Sequence, residues 1–106
     1  MYRYVKIKNT EYPVTVSISY QDVKWGNRQS ATIYFNESYD VVKALLTNNT
    51  EWFAIEKRAD VEEEIDMSDY CIAGDITDHR DGRVSIKMGR KTDEEQLKEI
   101  EEAYND

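Results

Sequence analysis

From Tyr12 to Tyr20 every even position is apolar or aromatic: Tyr12, Val14, Val16, Ile18 and Tyr20. The odd positions from Glu11 to Ser19 are Glu, Pro, Thr, Ser and Ser, with no large apolar residue among them. Successive side chains of a strand point to opposite faces, so alternation this strict predicts a strand with one side on a core and the other in water. Val14, Val16 and Ile18 are its expected buried face. The rest of the chain must be arranged against that side.

The flanking segments read the same way. Tyr2 to Lys8 is expected as a strand, with Val5 and Ile7 on one face and Tyr4 and Lys6 on the other. Asn9-Thr10-Glu11 would fold it back as a hairpin. Pro13 cannot donate to a ladder, which predicts a place near a strand start or on an edge. Trp25-Gly26-Asn27-Arg28 supplies a turn, since Gly and Asn accept positive φ. Gln29 to Phe35 alternates again through Ala31, Ile33 and Phe35, giving a three-stranded antiparallel meander.

Ser38 is an N-cap, with Asp40 in the first turn of a helix predicted over Tyr39 to Thr47. Its apolar residues, Val41, Val42, Ala44, Leu45 and Leu46, form a wide stripe that predicts cover over most of its surface. Trp52 to Lys57 reads as a strand. Asp60 to Asp69 is the acid-rich stretch, expected as an exposed connection anchored by Val61 and Ile65, with at most one helical turn. Tyr70 to Thr77 and Arg83 to Met88 read as two strands joined through Asp78-His79-Arg80-Asp81-Gly82. Gly74 marks a bulge or a close backbone approach, and Gly89 is expected to end the last strand.

Thr92 and Glu95 form a capping box that opens a C-terminal helix over 92–104. Leu97, Ile100 and Tyr104 make a narrow seam on an otherwise charged cylinder, and Glu94 and Lys98 stand at helical pairing distance. The pattern predicts a single α+β domain, mainly an antiparallel sheet of about six short strands. One short central helix and the C-terminal helix complete it.

A chain of 106 residues holds one core. Eight tyrosines and two tryptophans argue against disorder and suit a half-wet sheet or a binding surface. The formal net charge of −8 is unevenly placed. Residues 1 to 50 carry six Lys/Arg against four Asp/Glu, whereas residues 51 to 106 carry eight against eighteen. The acidic half repels phosphate backbones, so direct nucleic-acid binding is not expected. The single cysteine, Cys71, lies in an apolar run and reads as an inert thiol in a reducing interior. Met1 to Lys6 has no apolar signal core, and no run approaches the ~18 apolar residues of a membrane span.

No pattern carries chemistry. His79-Arg80-Asp81 matches one piece of a protein-kinase catalytic loop without any other part of that signature, and reads as a turn. Asp75, Asp78 and Asp81 stand three apart with Met88 beyond, where a calcium loop needs acids two apart and a distal Glu. No serine sits in a nucleophile elbow and no glycine run cradles phosphate. The expectation is a non-enzymatic protein without cofactor or metal. Candidate partner-binding residues are Trp25, Arg28 and Trp52 as aromatic and Arg anchors, Glu62, Glu63 and Glu64 as an acidic surface, and Leu97, Ile100 and Tyr104 as a docking seam.

The stretch from Ser68 to Gly89, SDYCIAGDITDHRDGRVSIKMG, preceded by a strand-helix-strand over 30–57, resembles the C-terminal part of short proteins encoded in tail-gene clusters of phages and prophages of Gram-positive bacteria. The resemblance implies a structural, assembly or accessory protein that binds copies of itself or a virion neighbour. It would act in the cytoplasm of the bacterial host or on the virion. The alternative from charge alone is an inhibitor of a bacterial defence system, anti-CRISPR-like, whose acidic half blocks a basic nucleic-acid-binding surface.

Overall fold

The computed structural model describes residues 3–104, the last of them by its backbone alone. The expected strand start at Tyr2 and the side chain of Tyr104 lie outside the described residues. Among the described residues seven strands and two helices follow one another: β1 (Tyr4–Ile7), β2 (Thr10–Asp22), β3 (Arg28–Phe35), α1 (Tyr39–Leu45), β4 (Phe53–Arg58), β5 (Val61–Asp66), β6 (Tyr70–Asp78), β7 (Val84–Arg90) and α2 (Asp93–Tyr104). The strands form one antiparallel sheet in the order β5-β4-β1-β2-β3-β7-β6.

β2 is the spine. Its first residues, Thr10 to Pro13, pair with β1, and Val14 onward pairs with β3 on the other side. Lys8 and Asn9, both at positive φ, make the two-residue hairpin turn that matches strand twist. Pro13 is the fourth of the thirteen residues of β2, near the strand start as expected. The ladder tolerates it because β3 ends opposite Val14, so no bond is lost on that side. Val14 and Val16 are buried as expected, and Ile18 is half-buried where β2 runs out toward its bulged end.

The outermost strands, β5 and β6, are separated by Met67, Ser68 and Asp69 alone. Four Cα steps reach at most roughly 14 Å, whereas a flat seven-stranded sheet would hold its edges roughly 29 Å apart. The sheet must curl. Trp52 plugs the fold where the edges approach. It is fully buried, its Nε1–H donates to the Tyr70 carbonyl at 3.0 Å, and its own carbonyl accepts from the Met67 amide at 2.9 Å. Ile7, Ile33, Phe35, Ala54, Ile86 and Met88 line the concave side with Val42 and Leu46 of the α1 segment.

Three expectations are corrected. The acid-rich stretch is an edge strand, β5, because Ala59 and Asp60 reverse the chain and set Lys57 opposite Glu62 and Ala54 opposite Ile65. This makes seven strands where about six were expected. Only part of the α1 stripe is covered: Val42 and Leu46 are buried and Leu45 is half-buried against the core, while Val41 and Ala44 face solvent. Gly89 continues β7, pairing with Ser30 and Ile72. Ser38 caps α1 as expected, accepting from the Val41 amide at 3.4 Å.

Candidate interaction surfaces

The expected binding residues fall into three places. Trp52 is a core residue and offers no surface, which removes it as an anchor: its ring and its N–H are both taken up by Tyr70. Trp25 and Arg28 lie together on the outer side of β6 and β7. A 3-10 turn over Val23–Trp25, closed by Gly26 and Asn27 at positive φ, lays the Trp25 indole over two glycines. A Cβ on Gly74 would stand 2.7 Å from the indole, and one on Gly89 2.8 Å from both the indole and the Arg28 side chain. Gly74 is thus the close approach its sequence setting suggested, beside a bulge in β6.

Arg28 is fixed from every side. Its Nε donates to the Trp25 carbonyl at 3.0 Å, and Nη1 donates to the Arg90 carbonyl at 3.1 Å and to Glu95 Oε1 at 2.8 Å. The guanidinium sits over the indole, 5.1 Å from its centroid. Glu95 also closes the capping box, accepting from the Thr92 amide at 2.9 Å while the Thr92 hydroxyl accepts from the Glu95 amide at 3.3 Å. The Thr92 amide first, and Arg28 second, hold the Glu95 carboxyl below the ordinary glutamate range. Arg28, braced by the Trp25 indole and carbonyl, is the socket of α2. Sequence spacing gave the capping box, but nothing local could pair Arg28 with Glu95.

The acidic edge is the second place. Glu62, Glu63 and Glu64 are all exposed on β5. On one face, Lys6 reaches Glu64 at 3.3 Å, and Lys57 reaches Glu11 at 2.8 Å and Glu62 at 3.9 Å. The Glu11 hydrogen bond raises the Lys57 ammonium above its ordinary pKa, and the Lys57 bond lowers the Glu11 carboxyl. Glu63 stands opposite Glu56 on the other face, next to Arg58, which pairs with Glu56 at 3.1 Å. The run of carboxylates is therefore interleaved with cations from β1 and β4. It also blunts a sheet edge against further pairing.

The third place is α2. Glu95 is its one half-buried described side chain, and Leu97 and Ile100 are 59% and 56% exposed. The Glu94–Lys98 pair expected along the helix is not formed among the described ion pairs, whereas Lys91, just before the helix, holds Glu99 at 2.5 Å. Asp93, Glu94, Glu101 and Glu102 have no ion pair among the described residues. The Cα radius of gyration, 14.9 Å, exceeds the ~13 Å of a compact chain of this length.

Elsewhere, His79 Nε2 lies 2.8 Å from Ser85 Oγ within the hairpin that joins β6 to β7, tying the turn to its strand. Asp81 accepts from the Arg83 amide and side chain in the same turn. Among the described residues no group of three His, Cys, Asp or Glu side chains stands in an arrangement that would hold a metal ion. Cys71 is half-buried and free. No described helix is long and apolar enough to cross a membrane. No protein-family model matches the chain, and neither a curated protein nor a solved structure is significantly similar to it.

Proposed function

We propose that this chain is a phage- or prophage-encoded accessory protein that works by binding another protein, with the curled sheet as platform and α2 as the contact element. The observation that carries this reading is the pair Leu97 and Ile100, neighbours on one helix face and more than half exposed. Apolar residues left adjacent in water on one helix face suit a contact surface. The resemblance of residues 68–89 to tail-cluster proteins supplies the setting, a virion or tail neighbour in a bacterial host.

Inhibition of a defence system is the second reading. The acids of α2 without an ion partner among the described residues favour it, whereas Glu62 and Glu64 are already met by lysines. Co-expression with the products of the flanking genes separates the two. A stable complex with a tail or baseplate protein, seen by sedimentation, is the expected result. A strict monomer that associates with none of them overturns the first reading. Salt-sensitive recovery of a host nuclease supports the second.

A further inference from the structure

We infer that the occupant of the α2 seam is an apolar groove rimmed by Lys and Arg on a partner protein, and that a second copy of this chain is not its occupant. The inference rests on the protein-binding reading and gives the partner its chemistry. Three features of α2 lead to it.

The first is that α2 is incomplete by itself. Twelve residues are at the lower limit for a helix without tertiary cover, and here Glu95 alone among the described side chains is even half-buried. The capping box and Arg28 secure the first turn and Lys91 holds Glu99 in the middle, while no ion pair or side-chain hydrogen bond among the described residues secures the last turn. The second is the placement of charge. Asp93, Glu94 and Glu95 suit the positive end of the helix dipole, but Glu101 and Glu102, without an ion pair among the described residues, stand at the negative end, and the last turn holds no basic residue. Cations brought alongside that end would relieve a repulsion the free chain cannot. The third is the balance of the element, six acids against Lys98 alone, on a chain of net charge −8.

At 3.6 residues per turn Asp93, Glu94 and Glu101 flank this seam, while Glu95, Glu99 and Glu102 lie away from it, so a second copy laid along it would set the three flanking acids against another three. Like charges that face one another across an interface are strongly selected against. Nucleic acids and anionic lipid surfaces are repelled for the same reason. A groove that buries Leu97 and Ile100 while its rim presents Lys or Arg to Glu94 and Glu101, the acids that flank the seam, satisfies all three features. It would also complete the helix as it binds.

The test uses the full chain with two synthetic helical peptides, both with Leu at the a and d positions of a heptad. One carries Lys at e and g, the other Glu. The chain alone should sediment as a monomer. Titration with the Lys-edged peptide should show saturable binding, weakened by salt and accompanied by a rise in helical signal, while the Glu-edged peptide should not bind. Leu97→Ser with Ile100→Ser, both at exposed positions, should cut affinity at least about tenfold, with the near-ultraviolet signal of the tryptophans unchanged. Self-association lost in that double variant, equal binding of the Lys-edged peptide by the variant, or no binding of that peptide by the parent chain would each overturn the inference. Retention of a flanking-gene partner by the double variant would also overturn it, and would leave the protein-binding reading standing.

Discussion

The chain has two acidic regions, β5 and α2, and they are built on opposite terms. In β5 carboxylates alternate with cations supplied by neighbouring strands, so the edge is charged yet largely compensated. In α2 most carboxylates face water without a partner among the described residues, and the apolar residues between them are exposed too. A strand has neighbours fixed by its register, and those neighbours can carry the opposite charge. Beyond Glu95 and Glu99, the acids of α2 have no such neighbour among the described residues. Acid content therefore says little about which surface remains available, and attachment says more.

Attachment can be broken directly. The chain leaving β5 is held by Trp52 through Met67 and Tyr70, so Trp52→Ala should cost about 3–5 kcal/mol of global stability in urea unfolding. Removing α2 from Asp93 onward should barely move the same transition. Equal losses in the two experiments would mean that α2 belongs to the core after all. The socket of α2 is the next target. Gly89→Ala places a methyl group where the indole and the Arg28 side chain now lie, and should cost about 1–3 kcal/mol. It should also speed hydrogen exchange at Glu95 and Gln96. An unchanged exchange rate there would show that Trp25 and Arg28 do not position the helix.

The smallest effect concerns the charges of β5. Glu11 ionises more readily folded than unfolded, so the stability it gives through Lys57 is complete above its ordinary value of 4.5 and lost as pH falls through the lowered folded value. Lys57 has the opposite sign: its share is complete below 10.5 and lost as pH rises through the raised folded value. Lys57→Gln should flatten both flanks of the stability–pH curve slightly, and the difference should fade near 1 M salt, where screening acts over about 3 Å. A loss independent of salt would mean that Lys57 works through packing on the Tyr4 ring, 4.7 Å away.

Much of the sheet was readable because alternation is a local signal. Val5, Ile7, Val14, Val16, Ala31, Ile33, Phe35, Val84, Ile86 and Met88 all declare their face by position, and all are buried. β5 was not readable, since Val-Glu-Glu-Glu-Ile-Asp has no period-two contrast. Its pairing depends on lysines about five and fifty-eight positions away in sequence. Gly89 misled for a related reason. Its neighbours say breaker, while the indole that requires a missing side chain there comes from sixty-four residues earlier. The capping box and the Leu97–Ile100 seam are short-range patterns and were legible. That Arg28 would receive α2 was a long-range fact with no local trace.

β2 serves one neighbour with its first four residues and another with the remainder, and the changeover falls between Pro13 and Val14. Adding or deleting one residue there would leave each half of the ladder correctly paired within itself while turning one half inside out relative to the other. The loop of five residues between Asp78 and Val84 has no such duty and should absorb changes in length. Natural variation in chain length, wherever it occurs in this fold, should collect at that loop and be excluded from the spine.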